Sequence, residues 1–234
     1  MCPVTKAEPS QGPRTAQHAE LARCAILLDM TANEGDLRSR RRKATARDIH
    51  LATLRLAVEH GFDHVTVDMI SAAAGVSRRT FFNYFPTKEA AVIAGPRTVP
   101  DDALAQFLAS PQKDPPQVLR DLTRLLLREL ELNQPDRDEL RQVMALAAAY
   151  PSVLATLLAS FDTFEQFVAT TVAQRLGAEP GDETATLIAA VGLAAMRTGL
   201  QRWAHGPASE SSPQVSPLIQ VEHTLTLLHG FLIP

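Results

Sequence analysis

The chain has 234 residues, 45% of them hydrophobic and 21% charged. That is enough to bury a sizeable core without disulfides or metals, and too ordinary a balance for a wholly disordered protein. The longest uninterrupted apolar stretch, 187–196, is far short of a bilayer crossing, and no basic patch followed by an apolar run stands near the start, so the expectation is a cytoplasmic protein without a transmembrane helix or secretory leader.

The net charge of -3 is unevenly distributed: residues 37–90 carry ten Lys/Arg against five Asp/Glu, and 91–234 carry ten against sixteen. A polyanion partner is therefore expected for the first part alone, because Lys and Arg gain affinity by neutralising phosphates and releasing counterions. Residues 1–40 read as an extension: Pro3, Pro9, Gly12 and Pro13 interrupt its start, and 15–30 has the periodicity of one amphipathic helix through Leu21, Ala25 and Leu28. Arg38 to Lys43 then form a basic run, in which Arg40, Arg41 and Arg42 read equally as a solvated charge run or as a flexible arm for a minor groove. Both cysteines, Cys2 and Cys24, lie in this extension, so the body has no disulfide framework.

From Thr45 onward the apolar period is helical and no segment alternates like a strand, which predicts an all-α fold. Prolines and glycines cut it into helices over 43–60, 67–74, 78–85, 88–94, 101–109, 117–133, 136–149, 152–176, 182–205 and 217–232, with a loop over 206–217. The expected domains are the extension 1–40, a helix-turn-helix head over 41–93, and a helical body over 94–234 that binds a ligand and dimerises.

The head carries the most information. Ile49, Ala52 and Leu56 give the first helix its apolar face, Gly61 ends it, and Phe62 turns back into the core. Thr66 caps a two-turn helix whose inward residues are Met69, Ile70 and Ala73. Gly75-Val76-Ser77 makes a tight turn and a fresh cap, followed by 78–85. Two short helices joined by a three-residue turn with glycine are a helix-turn-helix. Phe81 and Phe85 must face the core, which leaves Arg78, Arg79, Thr80 and Asn83 outward. Arg reads guanine O6 and N7, and Asn reads adenine N6 and N7. Pro86-Thr87-Lys88-Glu89 ends that helix and caps the next. His50, His60 and His64 are close in sequence, but Gly61 breaks their register and no Cys or carboxylate completes a ligand set, so surface histidines and no metal are expected.

The run from Gly61-Phe62 through Thr66-Val67 and Gly75-Val76-Ser77 to Phe81-Phe82-Asn83-Tyr84-Phe85 and Lys88-Glu89 resembles the DNA-binding domain of the TetR family of bacterial transcriptional regulators. The resemblance spans about 45 residues of the chain and implies an Ω-shaped all-α homodimer. It further implies a repressor that leaves a palindromic operator when a small-molecule effector binds a variable body. Arg78, Arg79, Thr80 and Asn83 match the family's base-edge positions, and Thr66, Ser77, Tyr84 and Lys88 its phosphate-contact positions. At Phe82 the family usually has Tyr, so a phosphate hydrogen bond is absent and an apolar contact to sugar or thymine methyl is expected.

The body shows no nucleophile elbow, metal-ligand motif or glycine-rich phosphate loop, which makes catalysis remote and a cofactor unexpected. Leu218, Val221, Leu225, Leu228 and Leu232 form a narrow apolar seam, and Gly192, Ala195 and Gly199 a small-residue stripe. Both are expected in a four-helix dimer interface, with burial inside one chain as the alternative. Leu126, Met144, Phe161, Phe164, Phe167 and Trp203 are candidate pocket residues, and Arg197, on a largely apolar helix, is expected to need Glu165 or an anionic effector as its partner. A regulator or architectural DNA-binder whose body meets a protein partner is the competing function; a body without a cavity would favour it.

Overall fold

The computed structural model describes residues 40–94, 99–206 and 216–232, with side chains up to Gly230 in the last segment. The expected helix over 15–30, both cysteines, most of the loop over 206–217 and the side chain of Leu232 lie outside these residues. The chain divides into two compact units, Met1–Arg47 and Asp48–Pro234. Of the first, 40–47 is described: it is helical, with Arg40, Arg41 and Arg42 exposed. Residues 40–60 are helical throughout and form α1, consistent with Arg, Lys and Ala being good helix formers. These three arginines lie on helical backbone.

In the second unit the described residues are all-α. After α1 come a 3-10 turn, Phe62–His64, and helices α2 (Val67–Ala73), α3 (Arg78–Tyr84) and α4 (Lys88–Ile93). The body follows with α5 (Asp101–Ala109), α6 (Pro115–Leu132), α7 (Arg137–Ala149), α8 (Pro151–Leu176), α9 (Glu183–His205) and α10 (Pro217–Leu232). Local chemistry sets the breaks. Asp114, Asp136 and Asp182 each accept a first-turn backbone N–H with their side chains, and Pro115 and Pro151 occupy first-turn positions where a missing N–H costs nothing. Gly177, at φ 74°, ends α8 in the left-handed region. α7 and α8 meet at Tyr150 with a bend of 118°. No single described helix is long and apolar enough to cross a membrane.

The main core joins α6, α8, α9 and α10 through Leu122, Leu126, Leu130, Val172, Ala189 and Val221, all essentially inaccessible, and α5 adds buried Phe107. The glycines of α9 are what let its neighbours close in. A Cβ at Gly192 would sit 3.2 Å from Leu122 Cδ2, and one at Gly199 would come within 2.7 Å of the Val221 Cα. The seam expected at a dimer interface follows its alternative reading within this chain. Gly192, Ala195, Gly199, Val221 and Leu225 are buried within the single chain, with Leu218 and Leu228 half-buried against the same core. Periodicity identifies an apolar stripe but not the chain that covers it. Among the described residues, the large apolar side chains left outward on these helices are Leu187, Ile219 and Leu227.

One charge sits inside this core. The Arg175 side chain is fully buried; it donates to Asp121, to Ser110 Oγ at 3.0 Å and to the Gln112 carbonyl, with its Cζ 4.5 Å from the Phe107 ring centroid. It ties the end of α8 to α6 and to the loop after α5. Burial works against the Asp121 charge, but hydrogen bonds from Arg175 and Gln117 and the charges of Arg175 and Arg124 outweigh it and hold the carboxyl below its ordinary value. A depressed carboxylate contributes stability above the unfolded-state pKa and loses it as pH falls through the folded one. Asp121→Asn is therefore expected to cost about 3 kcal/mol at pH 7, by leaving a buried guanidinium uncompensated, with the difference shrinking in acid. Urea unfolding at both pH values checks this; equal stability at pH 7 contradicts it.

Candidate nucleic-acid interface

Three caps and one turn shape the head. Thr66 Oγ1 accepts from the Met69 N–H at 3.2 Å, Ser77 Oγ from the Thr80 N–H at 3.0 Å, and Thr87 Oγ1 from the Ala90 N–H at 3.1 Å. Between the first two, Gly75 takes φ +67° with no atom within 4 Å of where a Cβ would stand, so the demand there is purely conformational. The turn closes with the Val76 N–H on the Ser71 carbonyl at 2.9 Å. Phe81 and Phe85 are buried as expected, their centroids 6.2 Å apart. In α2, Ile70 is buried and Met69 half-buried, but Ala73 is exposed and Ser71 is buried in its place.

With Phe81 and Phe85 fixed inward, α3 presents Arg78, Arg79, Phe82 and Asn83 as exposed residues, with Thr80 and Tyr84 half-buried. The Thr80 hydroxyl shares a 2.8 Å hydrogen bond with Ser77 Oγ. Arg78 Nη1 donates to both carboxylate oxygens of Asp68, each at 3.1 Å, and its Cζ lies 5.7 Å from the Phe82 centroid. Phe82, read from sequence as a contact for sugar or thymine, thus also carries the guanidinium of Arg78. Thr66 and Ser77 are exposed, each with its hydroxyl oxygen engaged as a cap.

Lys88 departs from the expectation of an open phosphate ligand. Its half-buried ammonium donates to the Phe62 carbonyl at 2.9 Å and the Val65 carbonyl at 3.1 Å and lies 4.5 Å from the Phe62 centroid. Two of three donors are thus committed to the turn between α1 and α2. Phe62 also meets the neighbouring helix corner: its N–H donates to the Tyr150 hydroxyl at 3.3 Å and the two rings lie 5.3 Å apart. Around it Leu54, Ala57 and Val92 of the head pack with Leu146, Ala147, Val153 and Leu157 of α7 and α8. His50, expected at the surface, is buried; its Nδ1 lies 2.8 Å from the Ala91 carbonyl and its Nε2 is 4.0 Å from Glu139. His60 and His64 are exposed, and among the described residues no cluster of three His, Cys, Asp or Glu could hold a metal. Tyr150, His50 and Glu139 join head to body without any local motif to announce it.

The candidate pocket residues are divided. Leu126 and Phe164 lie in the main core, Met144 and Phe161 against the cluster around Phe62, and Trp203 is half-buried with the Arg137 Cζ 5.9 Å from its ring. Arg197 is exposed, so solvent satisfies a charge that the sequence suggested needed Glu165 or an effector. The buried cation is Arg175, which sequence reading passed over. Leu126 and Phe167 do share a cavity with Val99, Leu104, Leu122, Leu125, Val168 and Thr171, but its volume is about 10 Å³, room for one water.

Residues 49–94 match the family model described as bacterial regulatory proteins, tetR family, and residues 116–215 match the model for the MftR C-terminal domain. The chain is 29% identical over 157 residues to the HTH-type transcriptional regulator TcmR of Streptomyces glaucescens, covering 65% of this chain and 70% of that one. It is also 29% identical over 172 residues to MftR of Mycobacterium tuberculosis, whose name assigns it to regulation of mycofactocin biosynthesis, covering 70% and 82%. Among solved structures, a TetR-family protein from Syntrophomonas wolfei aligns with TM-score 0.49 at 20% identity, covering 81% of this chain and 95% of that one.

Lys88→Ala removes two charge-assisted hydrogen bonds and a cation–π contact, so the head is expected to lose about 1–3 kcal/mol of stability. Thermal unfolding measures this. An unchanged midpoint combined with weaker duplex binding would return Lys88 to the phosphate contacts.

Proposed function

We propose that this chain, which belongs to the TetR family of bacterial regulatory proteins and is a DNA-binding transcriptional regulator, is a repressor that holds a palindromic operator as a homodimer. The observation that carries this reading is the outward row of α3, Arg78, Arg79 and Asn83, on a helix whose Phe81 and Phe85 are locked inside. Arg and Asn are the side chains whose forks match guanine and adenine in the major groove. Thr66, Ser77 and Tyr84 flank that row as candidates for phosphate.

Release by a small molecule requires a site in the body. The cavity between α5, α6 and α8 is lined by apolar side chains apart from Thr171, which fits a lipophilic effector that opens the space as it enters. The closed state of that cavity equally supports the second reading, in which the body answers to a protein partner. Leu227 and Ile219, exposed on α10, are the candidate surface for the second subunit.

Identical heads related by a two-fold axis demand half-sites a fixed number of helical turns apart. Duplexes selected from genomic fragments are expected to contain an inverted repeat, and inserting five base pairs between its halves turns one half to the opposite face. Affinity should fall to that of a single half-site, and Leu227→Arg should produce the same loss on the intact site while sedimenting as a monomer. Unchanged affinity after the insertion contradicts two-headed reading, and a folded, dimeric Leu227→Arg protein contradicts the surface assigned to the second subunit.

A further inference from the structure

The Asp68 carboxylate and the Phe82 ring hold Arg78 from two sides. Nη1 of Arg78 meets Asp68 Oδ1 and Oδ2, both at 3.1 Å. The guanidinium carbon is 5.7 Å from the Phe82 centroid, and Phe82 is itself braced edge-on against buried Phe81 at 5.4 Å and 89°. Both members of the ion pair are largely exposed, at 63% and 69%. An exposed pair of this kind adds little to stability, so its consequence lies in where it keeps the guanidinium.

Arginine carries five N–H donors in a planar fork. Asp68 occupies Nη1, and among the described residues nothing else bonds Arg78, which leaves the edge formed by Nε and Nη2. That edge offers two parallel N–H groups, the arrangement that pairs with O6 and N7 of guanine. A free arginine would also reach any nearby phosphate, a contact without sequence information. With a carboxylate on one side, a phosphate must compete against Asp68 for the guanidinium, whereas a guanine uses the edge that Asp68 leaves open. Discrimination is a difference of affinities, and an element that weakens the wrong complex contributes to it as much as one that strengthens the right one.

We propose that Asp68 is a positioning residue for base reading: it holds Arg78 so that the Nε and Nη2 edge meets a guanine, and keeps that guanidinium from phosphates where the guanine is missing. This rests on the proposal that α3 reads DNA. The test uses the full chain, its selected operator, a set of single-base-pair variants of that operator, and a scrambled duplex, titrated over a range of salt. Four proteins are compared: the natural chain, Arg78→Ala, Asp68→Asn and the double variant, with thermal midpoints recorded to confirm folding.

Arg78→Ala is expected to erase preference at one base pair of each half-site. Asp68→Asn should lower preference at that same base pair by about tenfold, toward the lower end of what one bidentate contact supplies. It should also bind scrambled duplex more tightly with a salt slope steeper by about one, as the released guanidinium takes a phosphate. In the Arg78→Ala background the same change should leave base preference where it was. The inference is overturned if Asp68→Asn retains the natural preference at the base pair that Arg78→Ala erases, or if it shifts preference equally with and without Arg78, which would mark a general support of α2 on α3. If Arg78→Ala itself keeps every preference, the assignment of α3 as reader fails and this inference falls with it.

Discussion

Phe62 is where contacts within the head and contacts from the head to the body of this protein converge on one residue. It is a single buried residue in a 3-10 turn, yet its carbonyl takes the Lys88 ammonium, its ring lies beneath that ammonium, its N–H donates to the Tyr150 hydroxyl, and its ring packs on Tyr150. The turn between α1 and α2, the start of α4 and the corner between α7 and α8 therefore share one site. Each bond is modest alone, but together they satisfy buried backbone groups that would otherwise cost more than the bonds contribute. A regulator needs this kind of joint, because a change in the body alters DNA binding only if it moves the reading helices relative to something fixed.

The body supports the joint from the other side. α8 takes part in both apolar clusters: Val153 and Leu157 pack around Phe62, while Phe164, Val168 and Val172 lie in the main core. The far end of α8 is tied by Arg175 to Asp121 of α6. α6 is thus linked through α8 to the Tyr150 corner. The small cavity between α5, α6 and α8 lies against Val168 and Thr171, partway along that path. α8 is thus the element with packing contacts in both clusters.

Local chemistry made the head legible in the sequence. Thr66, Gly75, Ser77 and Thr87 act within three residues of themselves, as caps and a turn, so their roles need no knowledge of the fold. Phe81 and Phe85 were equally readable from their spacing of one helical turn. Long-range partners were not. Phe62 and Tyr150 are 88 residues apart, and Arg175 and Asp121 are 54 apart. Lys88 matched a phosphate-contact position because the resemblance records its place in the chain and not where its ammonium points. The seam through Val221 and Leu225 shows the same limit: its period announces burial, and only packing against Gly199 reveals that the cover is the same chain. Asp68 stood in plain view, ten residues from Arg78, but only the turn at Gly75 brings the two together.

The central claim is that α2, the turn and α3 form the surface that meets duplex DNA, with the joint at Phe62 holding them on the body. Hydrogen exchange of the full chain, free and bound to a selected genomic fragment, tests it most directly. The account predicts slowed exchange concentrated at residues 66–84 on binding, together with smaller changes near Tyr150 as the joint is stiffened. Protection confined to α9 and α10, with residues 66–84 unchanged, would contradict it.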